Sequence, residues 1–158
     1  MKPAVDILVQ SARWRAQPRA KATVIKSIAA AATMLKEKNV ELSVLLTGDK
    51  AIRVLNRDWR GFDKPTNVLS FPALPQPKVK GAKPFAGDIV IAYETLAREA
   101  KAENRRFLDH LAHLSVHGFL HLMGYDHEEN RAAEAMEKLE RRVLAKLDIA
   151  DPYAAIHG

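Results

Sequence analysis

The chain contains no cysteine. Disulfides, thiolate zinc sites, iron–sulfur clusters and cysteine nucleophiles are thereby excluded, and any transition metal must be held by His, Asp or Glu. Long hydrophobic runs are also missing: nothing approaches the roughly 18 apolar residues that span a bilayer. The N-terminal MKPAVDILVQ is too polar and too soon interrupted for a signal peptide. The expected location is cytoplasmic, without a membrane partner. With 47% hydrophobic and 28% charged residues, the composition is too apolar for intrinsic disorder. A length of 158 residues suits one domain spanning 1–158.

Charge is unevenly distributed. Residues 1–40 carry eight basic and two acidic side chains, residues 41–80 seven and four, and residues 81–158 ten and thirteen, for a net charge of +6. A basic first half attracts polyanions, RNA foremost, and Arg13, Arg15, Arg19 and Lys21 are a candidate binding face.

Alternation at Val5, Ile7 and Val9 predicts a strand, at an edge because Pro3 precedes it. Val24, Ile28, Ala31 and Leu35 recur at helical spacing from about Pro18 to Lys38, with Asn39 as the stop. Val40 to Leu46 reads as a strand. Thr47 or Asp49 can cap the next helix, which carries Ile52, Leu55 and Trp59 and ends at Gly61. Val68 to Phe71 and GDIVIAY from Gly87 are further strands, separated by an exposed connection with four prolines between Pro72 and Pro84. Helices follow at about 94–104, 106–123 and 130–147. Early strands and late helices indicate an α+β fold, with one mixed sheet of about four strands packed on helices.

The helix over 106–123 carries His110, His113, His117 and His121, which fall within about 80° of one another on its surface. Leu108, Phe119 and Leu122 lie opposite, so the imidazoles are expected to look outward into a cleft or solvent. His117 and His121 stand one turn apart and can converge on one ion. The string HGFLHLMGYDH continues as H-x3-H-x2-G-x2-H, where Gly124 can turn the chain back and bring His127 to the same ion. Three neutral nitrogens with a fourth position open is how catalytic zinc is held, and the spacing resembles the metzincin protease pattern. It departs where the protease has its general-base Glu, since Gly118 stands there. His113 is either a wall or supporting residue or a surface one; His110 and His157 carry no functional signal.

In LNRDWRGFDKPTNVLSFP, Arg60 sits beside Gly61 at a helix end, placed to fork onto a phosphate or to pair with Asp58 or Asp63. Thr66 and Asn67 start the strand or cap a turn. This block, GDIVIA at 87–92 and HLSVHGFLHLMGYDH at 113–127 together resemble the YbeY family of bacterial endoribonucleases. Trp59, where an aromatic such as Tyr is common, and Asn67, where many members have Asp, are departures, and residues 148–158 match nothing.

The resemblance implies a metal-dependent endoribonuclease specific for single strands. Its work would be ribosomal RNA processing, notably maturation of the 16S rRNA 3′ end, and ribosome quality control. It implies a metal site on the central helix and following turn, with His117, His121 and His127 binding Zn2+ or another divalent transition metal. Arg60 would line the catalytic groove, beside the metal-bearing His117. The implied partners are single-stranded ribosomal RNA and the small ribosomal subunit, without DNA. Two alternatives keep the site: a metalloprotease-like hydrolase, and a non-enzymatic ribosome-binding factor whose structural metal is closed by His113 or Asp126.

Overall fold

Four segments of alternating apolar residues pair into one sheet in the computed structural model, which describes residues 2–77, 79–126 and 128–154. They are β1 (Ala4–Val9), β2 (Glu41–Thr47), β3 (Val68–Pro72) and β4 (Phe85–Ala92), in the order β1-β2-β4-β3. β2 is parallel to both β1 and β4, while β3 runs antiparallel along β4, so the sheet is mixed and β1 is an edge strand as expected. Parallel neighbours need a crossover, and α1 (Ala20–Leu35) and α2 (Asp49–Arg60) lie in those connections. Then come α3 (Tyr93–Ala102), α4 (Phe107–Leu122) and α5 (Asn130–Lys146).

The period of two sorts the strands' side chains between two apolar layers. Leu42, Val44 and Leu46 of β2, with Ile89 and Ile91 of β4, face the main core built with α1, α4 and α5. Val90 and Ala92 face the other way, onto Ile52 of α2 and Leu69 of β3. Each face of the sheet is therefore covered, with α2 alone on the smaller side.

Details near the helix ends differ from expectation. α1 stops at Lys36, which takes the left-handed conformation at φ 58°, and Glu37 donates its N–H to Ala32 at 2.9 Å. Asn39 is not the stop, because the chain must already have turned to enter β2. Gly48, and neither Thr47 nor Asp49, is the residue before α2. Asp49 instead serves the neighbouring helix, accepting from the backbone and hydroxyl of Thr95 at 3.0 and 2.7 Å. A short 3₁₀ helix, Ala12–Ala16, was not signalled by periodicity; it buries Trp14, whose indole N–H donates to the Thr47 carbonyl at 2.9 Å.

α4 is the central element, packed against α1, α3, α5, β3 and β4. It comes close to the sheet because Gly118 presents no side chain. A Cβ there would lie 2.9 Å from Ile89 Cγ2 and 3.2 Å from the Ser70 hydroxyl, which donates to the Gly118 carbonyl at 3.1 Å. Gly87, at φ 137°, is also constrained on β4, since a Cβ there would collide with the Phe71 carbonyl oxygen. Ile89 is a stiff, fully buried β-branched residue and cannot step aside. Gly118→Ala should accordingly lose about 1–3 kcal/mol of stability through overpacking. Urea denaturation checks this, and an unchanged midpoint would mean that helix and sheet have slack between them.

Candidate active site

The two helical histidines of the motif, the candidate ligands, approach each other as their spacing predicts. On α4, His117 Nε2 and His121 Nε2 are 3.0 Å apart. Two nitrogens bound to one tetrahedral zinc, each at about 2.0–2.1 Å, would stand roughly 3.3 Å apart, so this pair fits such an ion. His127 lies outside the described residues, as does His157. Among the described residues, no group of three or more potential ligands is arranged around an ion.

What orients His117 is Glu140 of α5. This carboxylate is 0% exposed and accepts from three donors: His117 Nδ1–H, the Tyr153 hydroxyl, and His113 Nε2–H at 3.3 Å. Burial opposes its charge, yet the hydrogen bonds from His113 and His117 outweigh that and bring its pKa to about 2. An ionised carboxylate only accepts, so His117 must carry its proton on Nδ1, which leaves Nε2 with the lone pair directed toward His121. Carboxylate partners of this kind fix the tautomer and raise the basicity of histidine ligands.

The histidine face of α4 does not look outward along its whole length, contrary to expectation. His110 and His113 are buried beneath α3 and α5. His110, expected to be bland, donates from Nε2 to Glu99 at 2.8 Å, while Arg105 donates to its Nδ1 at 2.9 Å. Arg105 also reaches His113 Nδ1 at 3.4 Å, so both nitrogens of His113 are engaged and burial holds its pKa below the usual value. His113 is thus a supporting residue and is not turned toward the convergence point of His117 and His121. Glu99 further accepts from Asn67 at 2.9 Å.

His117 and His121 open into a cleft of about 530 Å³ whose opposite side is β3 and the loop before it. Arg60, Thr66, Asn67, Ser70 and Asp126 line it as well. The pairing of Arg60 with Asp58 or Asp63 does not occur: Asp58 bonds Arg57 at 2.9 Å and Asp63 bonds Arg53 at 2.8 Å. Arg13, Arg15, Arg19 and Lys21 do not line this cleft. Position 118, where a metzincin has its base, is packed on Ile89 and has no room for a glutamate.

Sequence reasoning missed Glu140, Glu99 and Arg105. For Glu140 the signal was there. It sits on the same stripe as the buried Met136, Val143 and Leu144, and a charge on an apolar stripe requires buried partners.

Removing this buried carboxylate leaves three donors, one of them the buried His113, without their acceptor, so Glu140→Ala should cost about 3–5 kcal/mol. Calorimetry or denaturant titration measures it; a loss below about 1 kcal/mol would show that the network is not structural. Stability of chelator-treated protein should fall as pH drops. Below 6.5 unfolded His113 takes up a proton that the folded ring resists. From 4.5 down to about 2 the stabilisation carried by ionised Glu140 is lost as well. A flat profile from pH 7 to 3 would contradict both assignments.

The profile of the family described as Endoribonuclease YbeY matches residues 8–148. An "Endoribonuclease YbeY" of Rhodopseudomonas palustris (strain BisA53) is 54% identical over 96% of this chain and 91% of its own length. One from Nitrobacter winogradskyi is 54% identical over 96% of this chain and 83% of its own. Among solved structures, a Thermotoga maritima protein determined in solution is similar with a TM-score of 0.51 at 27% identity, covering 91% of each chain. With the motif blocks, the mixed sheet and the histidine-bearing central helix in the family's order, this chain belongs to the Endoribonuclease YbeY family.

Proposed function

We propose that this protein is a metal-dependent endoribonuclease that cleaves single-stranded ribosomal RNA. It would act in maturation of the 16S rRNA 3′ end and in ribosome quality control, in the cytoplasm and at the small ribosomal subunit. The observation that carries the reading is the cleft itself, in which the Arg60 guanidinium shares one surface with the converging His117 and His121. His117, His121 and His127 would hold the metal. Their neutral imidazoles suit zinc, or another divalent transition metal of similar preference. When bound, it supplies Lewis acidity and lowers the pKa of a water molecule, the chemistry that phosphodiester hydrolysis needs.

The chain's own groups do the rest. Arg60 forks onto a phosphate and stabilises the charge that develops on its oxygens. Glu140 keeps His117 in one tautomer throughout. Thr66, Asn67 and Ser70 give the cleft wall hydroxyl and amide groups suited to a sugar–phosphate strand. Peptide hydrolysis would lack its usual base, because the Glu of a metzincin has no space at position 118. A structural site closed by His113 is disfavoured, since that ring is already bonded on both nitrogens.

Metal-loaded protein should cut labelled ribosomal RNA and leave a peptide library intact, and His117→Ala should abolish cleavage. The reverse substrate preference, or cleavage undiminished in His117→Ala, would defeat the proposal. His121→Ala should lose its metal by elemental analysis; wild-type content would refute the ligand assignment. Arg60→Ala should keep fold and metal but slow single-turnover cleavage roughly ten- to hundredfold. Arg60→Lys should fall between, since it retains the charge without the planar fork. Equal rates for all three proteins would remove Arg60 from the mechanism.

A further inference from the structure

The two tryptophans of the chain have opposite surroundings. Trp14 is 3% exposed with its N–H bonded, whereas Trp59, in the last turn of α2, is 72% exposed and touches Phe71 edge-on at 6.0 Å between centroids. Three residues on, Phe62 is 50% exposed, with Arg60 and Lys64 at 5.4 and 5.7 Å from its ring centre. Folding leaves these aromatic surfaces largely in water, which is costly unless something covers them.

The surrounding charges indicate what that is. The two acidic residues of this stretch, Asp58 and Asp63, are neutralised by Arg57 and Arg53, so Arg60 and Lys64 leave the patch positive. Arg60 also lines the cleft, making the patch continuous with it. Exposed aromatic rings interleaved with cations, running into the cleft proposed to bind phosphate, match an unpaired polynucleotide: bases stack while the backbone follows the charge. The apolar surface of a protein partner would gain nothing from the two cations at Phe62. We infer that Trp59 and Phe62 form a stacking platform for an unpaired nucleotide adjoining the phosphate held at Arg60. This rests on the RNA reading above and adds to it a subsite outside the metal cleft. Bases in a duplex already stack on their neighbours, so the platform favours single strands.

The test uses the intact metal-loaded protein and a single-stranded 2′-O-methyl phosphorothioate oligonucleotide, whose backbone resists cleavage. Binding is followed by anisotropy of a label on the strand and, separately, by tryptophan emission. The strand should quench the wild-type emission, and the quenching should vanish in Trp59→Ala, since Trp14 is buried. Affinity should fall roughly tenfold in Trp59→Ala, and also in Phe62→Ala, but little in Trp59→Tyr, which keeps a ring. An abasic strand with the same number of phosphates should bind wild type about as weakly as the normal strand binds Trp59→Ala. Because Trp59 is exposed, its variants should keep the wild-type circular dichroism and melting temperature. Binding by anisotropy without quenching, or equal affinity of wild type and Trp59→Ala, would overturn the platform while leaving the RNA reading intact. If no strand bound wild type, the RNA reading would fall and the platform with it.

Discussion

One buried carboxylate ties the functional half of this protein together. Glu140 is the common acceptor for donors from α4 and from the segment after α5, so helix packing and the orientation of His117 rest on the same charge. An ion in a protein interior is tolerated only when its hydrogen bonds are complete, and completing them here requires α5 in one rotation and one height against α4. The second branch, from Arg105 through His110 to Glu99 and Asn67, fixes α3 and the start of β3 in the same manner. Polar specificity thereby sets the relative positions of elements that the apolar core, tolerant of sliding, would leave less defined.

The cleft's two walls rest on one sheet and are bonded to each other, by Ser70 to the Gly118 carbonyl and by Asn67 through Glu99 to His110. β3 approaches from the edge of the sheet, antiparallel to β4, while α4 crosses the face of the same sheet. His117 and His121 are carried by a helix, and Arg60 by the last turn of another. Such placement suits chemistry that depends on a fixed separation between a metal and a phosphate contact.

Much of this was legible in the residues. The β-branched and leucine-rich run Val40 to Leu46 gave β2, period two at Val5, Ile7 and Val9 gave β1, and the i, i+4 spacing of His117 and His121 gave their approach, because all follow from local composition and geometry. The surroundings of α4 were not legible. Its histidine stripe resembles a solvent-facing stripe, and only the tertiary structure shows Glu99 and Glu140 covering it. The partners of Arg60 were equally hidden: sequence neighbours Asp58 and Asp63 were plausible, but Arg57 and Arg53 reach them first. Pairings that depend on which of several nearby arginines wins are decided by rotamers and helix phase, which a linear pattern does not encode.

The tight seat of Gly118 on Ile89 also bears on how this chemistry relates to that of proteases with the same ligand spacing. Had position 118 been open, a single codon change could supply a carboxylate and give a trace of peptidase activity on which selection could act. With the helix backbone pressed against β4, any side chain at that position first damages the fold, and the carboxylate gains a place only after α4 has lifted from the sheet. The two activities go with one histidine spacing in sequence yet are separated by a coordinated movement of backbone, so point mutation alone does not connect them.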